Sequence, residues 1–239
     1  MNIKKIILFI SLITSINAYS ATEIVNTNSN ECVILLHGIL RTEATMQKMS
    51  SELEKQGYAT VNQGYPSTKY KIERLSITAI STALKKCPVD TEKVHFIGYS
   101  MGGLLIRYYL SNNQLPKLGR VVMLGTPNQG SEVADTFKNQ QWYKTMYGPA
   151  GQQLVTKNNQ FLEKLAPINY ELGIIAGSQS IDPVSSTVIP NRDDGKVSIA
   201  STKVKGMKQH IVLPVNHTFM VLNHKVISDV ISFLAKGEF

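Results

Sequence analysis

Val94-His95-Phe96-Ile97-Gly98-Tyr99-Ser100-Met101-Gly102-Gly103-Leu104 joins an apolar strand to an apolar helix through a glycine-rich turn that carries one serine. Val94 to Ile97 is a short, largely apolar stretch that suits a buried parallel strand, and Leu104 to Leu110 continues as a helix. The turn matches Gly-x-Ser-x-Gly. Its glycines let the chain reverse sharply and lift the Ser100 side chain above the sheet, and the helix start beneath it favours developing negative charge. The pattern alone is weak, since a serine in such a turn can simply cap a helix. The strand–turn–helix setting makes Ser100 a candidate nucleophile.

Outward from this turn the chain alternates strands and helices. Cys32 to Leu36 is a second apolar run, ending at His37-Gly38. Glu43 to Gln56 reads as a helix with Met46, Met49 and Leu53 on one face, and Tyr58 to Val61 as a strand. Ile72 to Leu84 reads as a helix stopped by Cys87-Pro88. Further strands are expected at Val121 to Leu124, Leu172 to Ala176 and Ile211 to Leu213. Leu222, Val226, Ile227, Val230, Ile231 and Leu234 then form one face of a closing helix. Six strands alternating with helices imply an α/β fold, a mostly parallel sheet covered on both faces. The gap from Gly130 to Pro167 is too long for a simple connection and is read as a small helical insertion, about 131–167, capping one edge of the sheet.

A serine nucleophile needs a base, the base needs an orienting carboxylate, and acyl transfer needs two N–H groups aimed at the oxyanion. One donor is the residue after the nucleophile, Met101. The other comes from the loop after an early strand, where Ile39 follows Gly38; His37 is read as orienting that loop. Three histidines follow Ser100. His210 begins the last strand, at its amino end. His224 is read as lying about two turns into the closing helix. His217 lies just past the strand's carboxyl end, where open α/β sheets bind ligands, and is the preferred base. For the acid, Asp194 before Gly195 is favoured, with Asp193 its rival, Asp182 a third option and Asp135 assigned to the insertion.

Met1 to Lys5 carries two lysines, Ile6 to Ile16 is an apolar run too short to span a bilayer comfortably, and Ala18-Tyr19-Ser20 offers small residues for cleavage. Residues 1–20 are expected to be a signal peptide, leaving 21–239 as the folded domain in the periplasm or outside the cell. The chain carries 25 Lys and Arg against 17 Asp and Glu, and losing Lys4 and Lys5 takes the formal charge from +8 to +6. The remaining cations are scattered, without the aromatic-interleaved stripe of a nucleic-acid binder. The pI near 9.4 is read as a solubility trait with weak affinity for anionic membrane surfaces. A 43% hydrophobic chain excludes disorder, and two cysteines are too few for a disulfide scaffold or a four-cysteine zinc site. The sequence is silent on oligomeric state.

Leu35-Leu36-His37-Gly38, Gly98 to Gly103, Leu124-Gly125-Thr126-Pro127-Asn128-Gln129-Gly130-Ser131, Asp194-Gly195 and Asn216-His217-Thr218 together resemble the α/β-hydrolase superfamily, within it the compact bacterial lipases and esterases. The resemblance runs from Val33 to Phe233. It implies a single α/β-hydrolase domain with Ser100 as nucleophile, Asp194 as acid, His217 as base, and Ile39 and Met101 as oxyanion donors. Tyr99 departs from it, standing where many relatives have His. The first strand and the elbow strand are usually neighbours in that fold, which brings Cys32 and Cys87 to the same end of the sheet and implies a disulfide between them. The expected activity is hydrolysis of carboxylic or lipid esters without metal or organic cofactor, with Trp142, Tyr143, Met146 and Tyr147 from the insertion lining the acyl pocket. Acyl transfer to another acceptor, thioester or amide cleavage by the same residues, and a non-catalytic binding module are the alternatives.

Overall fold

The computed structural model describes residues 30–239, so the expected signal peptide lies outside the described residues. In chain order the elements are β1 (Glu31–Leu36), a 3₁₀ turn (Glu43–Met46), α1 (Gln47–Lys55), β2 (Ala59–Gln63), α2 (Ile72–Leu84), β3 (Lys93–Tyr99) and α3 (Met101–Asn112). Then follow β4 (Leu118–Leu124), α4 (Glu132–Phe137), α5 (Gln141–Gln152), α6 (Gln160–Glu163), β5 (Leu172–Gly177), α7 (Pro183–Ser186) and α8 (Ile199–Thr202). Last come β6 (Gln209–Leu213), a 3₁₀ turn (Met220–Leu222) and α9 (His224–Lys236). Among the described residues no helix is long and apolar enough to cross a membrane.

The six strands form one sheet in the order β2-β1-β3-β4-β5-β6, and every neighbouring pair is parallel. Parallel pairing explains why Cys32 to Leu36 of β1 reads as an unbroken apolar run and why β3 is largely apolar: both faces are covered. Ile34, Leu36, Phe96, Met123 and Ile174 pack on one face with α2 and α3. Val33, Leu35, Ile97, Val122 and Ile175 pack on the other with α1 and α9. The chain leaves β1 in one direction toward β2 and returns to its other side with β3, so the order reverses there. At such a reversal the carboxyl ends of neighbouring strands leave a crevice. The register sets Leu36 beside Gly98, Gly98 beside Met123 and Leu124 beside Ile175, which brings four strand ends level at that edge.

The opposite, amino edge is closed covalently. Cys32 of β1 and Cys87, shortly after α2, form the expected disulfide, with Cα atoms 5.9 Å apart across a sequence separation of 55. Cys32 lies beside Val94, at the start of β3 rather than at its carboxyl end.

Between β4 and β5 the chain makes α4, α5 and α6, all inside the stretch read as an insertion. Helix α5 is broken at Gly148 (φ 59°), with Pro149 following. A side chain at Gly148 would collide with the Thr68 carbonyl oxygen, so only glycine permits this close approach to the β2–α2 loop. Gln153 tightens the same joint: it accepts from the Ile72 N–H at 2.7 Å and donates to Glu73 at 2.8 Å.

Candidate active site

Ser100 sits between β3 and α3 at φ 54°, ψ −124°, a backbone region that side-chain-bearing residues rarely occupy. Such a conformation costs about 1–3 kcal/mol and persists only where its surroundings hold it. Here the Ser100 N–H donates to the Leu124 carbonyl at 2.8 Å, and the Ser100 carbonyl accepts from Thr126 Oγ1 at 2.9 Å and from Gly103 N–H at 3.1 Å. The turn is also tight enough that a Cβ at Gly98 would collide with the Gly103 backbone. This accounts physically for the glycine pattern around the serine.

His217 follows β6 and faces this turn. Its Nε2 is 3.0 Å from Ser100 Oγ and its Nδ1 is 2.7 Å from Asp194 Oδ2. With the ring proton on Nδ1, His217 donates to Asp194 and accepts the Ser100 hydroxyl. Asp194 Oδ1 is fixed separately by the N–H groups of Lys196 at 3.0 Å and Val197 at 2.8 Å. A backbone bond from His217 N–H to the Asp194 carbonyl at 2.8 Å ties the two loops together. Tyr99 closes the set from behind: its hydroxyl donates to the His217 carbonyl at 2.8 Å and its ring lies 5.1 Å from the imidazole. Burial raises the Tyr99 hydroxyl well above the usual tyrosine range, which keeps it a neutral donor.

The other candidates go elsewhere. Asp193 Oδ1 accepts from the Gly195 N–H at 2.7 Å and the Ser186 hydroxyl at 2.8 Å, so its carboxylate is consumed by the turn. Asp182 caps α7 and pairs with Lys196. Burial would raise its carboxyl, but hydrogen bonds from Lys196 and Ser185 outweigh this and hold it at about 2. Asp135 accepts from the Thr156 N–H at 3.1 Å in the insertion. His210 meets Thr202 Oγ1 at 2.8 Å, away from Ser100. His224 is the first residue of α9 rather than two turns into it, because the Asn223 side chain accepts from the Lys225 and Val226 N–H groups and starts the helix there.

Met101 opens α3, so its N–H is one of those a helix start leaves without an intrahelical acceptor. Ile39 lies in the loop after β1. There Leu40 has φ 57° and its N–H donates to Ser67 Oγ at 3.2 Å. His37 orients this loop as expected. Its ring is fully buried and stacked on Tyr65 at 4.1 Å, Nδ1 donates to the Gly38 carbonyl at 2.8 Å, and Nε2 accepts from the Tyr65 N–H at 3.3 Å. Burial lowers its pKa, so the neutral ring is favoured.

A cavity of about 230 Å³ opens onto Ser100 and His217. Ile39, Tyr143 and Tyr147 line it, but Trp142 and Met146 do not: they are 49% and 51% exposed, while Tyr143 is 2% exposed. The correction is geometric. Tyr143 and Tyr147 are one helical turn apart on the inward face of α5 and stack at 4.4 Å, whereas Trp142 and Met146 share the neighbouring face and Trp142 packs on Phe137. Pro127, Val133, Leu154 and Val197 complete the apolar wall, and Arg41 and Lys196 also line the cavity. Of these, Pro127 lies in the Gly-Thr-Pro stretch and Lys196 and Val197 directly follow Asp194-Gly195, whereas Arg41, Val133 and Leu154 carry no motif. Among the described residues no group of three or more His, Cys, Asp or Glu is placed to hold a metal ion.

The sequence profile of palmitoyl protein thioesterase matches residues 32–170, more than half of the chain. The chain belongs to the palmitoyl protein thioesterase family. The match spans the β1 loop, the serine turn and the insertion. Solved structures share the fold at low identity. Bacillus licheniformis lipase BlEst2 in its mature form is 17% identical with a TM-score of 0.66, over 88% of this chain and 93% of that one. An esterase from Exiguobacterium antarcticum is 16% identical with a TM-score of 0.55, over 86% and 92%. Legionella pneumophila phospholipase PlaB is 17% identical with a TM-score of 0.63, over 79% of this chain and 53% of that one. Family and fold together support ester or thioester hydrolysis as the general chemistry of this α/β hydrolase.

Proposed function

We propose that the protein is a serine hydrolase of carboxylic esters acting through an acyl-enzyme. The observation that carries this is the continuous contact from Ser100 Oγ through the His217 ring to Asp194, at 3.0 and 2.7 Å, with the serine on a strained turn. His217 Nε2 takes the Ser100 proton as Oγ attacks the carbonyl carbon. Asp194 holds the tautomer and stabilises the imidazolium. The Ile39 and Met101 N–H groups receive the oxyanion. His217 then protonates the departing alcohol, and a water activated by the same nitrogen releases the acid. The family match favours a thioester as the second substrate type, since the same steps expel a thiol.

The acyl group is assigned to the wall formed by Tyr143, Tyr147, Val133 and Leu154. A cavity of about 230 Å³ falls below the roughly 300–1,000 Å³ of pockets that hold drug-sized ligands, which favours short acyl chains over palmitoyl length. Residues 1–20 are assigned as an export signal, and the Cys32–Cys87 disulfide fits an oxidising compartment. The helices between β4 and β5 are assigned as a cap on a single domain spanning 21–239.

The decisive experiment pairs Ser100→Ala with a chromogenic short-chain ester and a fluorophosphonate probe. The expected outcome is a folded variant without labelling and with hydrolysis reduced at least about 10⁴-fold. Turnover at wild-type rate by the variant would end the assignment.

A further inference from the structure

The cavity mouth is electrostatically one-sided. Arg41 and Lys196 are among its lining residues and no Asp or Glu is. The two cations differ in how they are engaged. Lys196 Nζ is held by Asp182 Oδ2. Arg41 is exposed and enters no ion pair among the described residues. It shares the cavity lining with Tyr99, Ser100 and His217, and its charge acts on the Tyr99 hydroxyl, the group that donates to the His217 carbonyl. Arg41 therefore lies on the Tyr99 and His217 side of the cavity with no carboxylate paired to it among the described residues.

That side has a chemical meaning. When the acyl-enzyme forms, the Ser100 Oγ–carbon bond is made and the carbon–oxygen or carbon–sulfur bond to the other half of the substrate breaks. The proton that His217 took from Ser100 goes to the departing atom, so the departing half lies against His217. The acyl half faces the apolar wall of Val133, Tyr143, Tyr147 and Leu154. A guanidinium fork matches phosphate oxygens in a bidentate pair, and such charge-assisted bonds are about twice as strong as neutral ones.

Resting on the serine-hydrolase reading above, we propose that Arg41 binds an anionic group on the departing half of the substrate, so that the preferred substrates are acyl esters or thioesters whose alcohol or thiol carries a phosphate. Two sources share that chemistry, a glycerophosphate ester and a phosphopantetheine thioester.

The test uses one hexanoyl group on four carriers: glycerol, glycerol 3-phosphate, N-acetylcysteamine and phosphopantetheine. Wild type, Arg41→Gln, Arg41→Lys and Ser100→Ala are compared. In wild type, kcat/KM for a phosphate-bearing substrate is expected to exceed its neutral counterpart about tenfold or more, chiefly through KM, and the gap to shrink as salt is added. In Arg41→Gln the ratio is expected to fall to about one, with partial recovery in Arg41→Lys. The pair with the larger wild-type ratio identifies the source. A wild-type ratio near one, or a ratio unchanged in Arg41→Gln, overturns the proposal. So does failure to turn over any of the four by an enzyme that a fluorophosphonate still labels. Neither labelling nor turnover overturns the serine-hydrolase reading, and this one with it.

Discussion

Each end of the sheet holds a buried histidine paired with a carboxylate, and the two pairs do different things. At the carboxyl edge His217 meets Asp194 at 2.7 Å, and its other nitrogen faces the Ser100 hydroxyl. At the amino edge His95 Nε2 meets Glu31 Oε2 at 3.1 Å, but its Nδ1 accepts the Arg120 N–H at 2.8 Å. Glu31 also accepts from Lys93 at 3.0 Å. The second pair is a closed circuit in which every polar atom of the ring is spent on the fold. The first leaves one ring nitrogen against the Ser100 hydroxyl beside a cavity. Pairing a histidine with an acid does not make a base. What matters is where the second nitrogen points and what the backbone puts there.

Exchanging the acids is the largest test of that contrast. Asp194→Asn is expected to cut kcat about 10⁴-fold with little loss of stability, because the wrong tautomer is then held. Glu31→Ala is expected to leave kcat unchanged and to lower unfolding free energy by about 2 kcal/mol, because the His95 donor is left buried without its acceptor. Steady-state kinetics and urea denaturation on both variants decide it, and a large kcat loss in Glu31→Ala would erase the distinction.

The amino edge should also bear the larger covalent contribution. Opening the bridge with Cys32→Ser and Cys87→Ser together is expected to reduce stability by about 4 kcal/mol in the chain-entropy account, with kcat of the folded fraction intact. Urea midpoints of the double variant and wild type give the comparison, and equal midpoints would contradict it.

A smaller effect separates the edges by pH. Burial lowers the pKa of His95 below its usual 6.5, against the opposing pull of Glu31. The neutral ring is thus favoured in the folded state, and its contribution is complete above pH 6.5 and lost as pH falls below that value. The stability gap between wild type and His95→Gln is expected to narrow from pH 8 to pH 5. A gap that widens on acidification would reverse the sign.

The smallest expected change is at Tyr99. Tyr99→Phe removes the bond to the His217 carbonyl while keeping the ring contact, and a loss of a few-fold in kcat is expected, about the worth of one neutral hydrogen bond. An unaltered kcat would make that hydroxyl a packing feature alone.

Ser100 and His217 were legible as candidates because strand ends and glycine turns leave local signatures, and because chain order restricts the choice. The acid was legible only to within one residue. Asp193 and Asp194 are neighbours on one turn, and Gly195 at φ 96° decides which carboxylate faces the imidazole. The α5 aromatics show the same limit. Spacing by four puts Tyr143 with Tyr147 and Trp142 with Met146, but which pair turns inward depends on the Gly148 break and its contact with Thr68, a tertiary fact. Arg41 and Leu154 carried no signal, since a lone cation in a loop and a lone leucine are ordinary until the fold brings them to one cavity.

The disulfide has a consequence for the order of events in a chain that emerges amino end first. Both thiols precede Ser100, and the loop they close holds α1, β2 and α2. An oxidant meeting the emerging chain can cross-link this half before β3 and the serine turn arrive. The strand that leads into Ser100 would then be laid against a partner whose position is already covalently limited, and the costly turn at Ser100 would form on a prepared template.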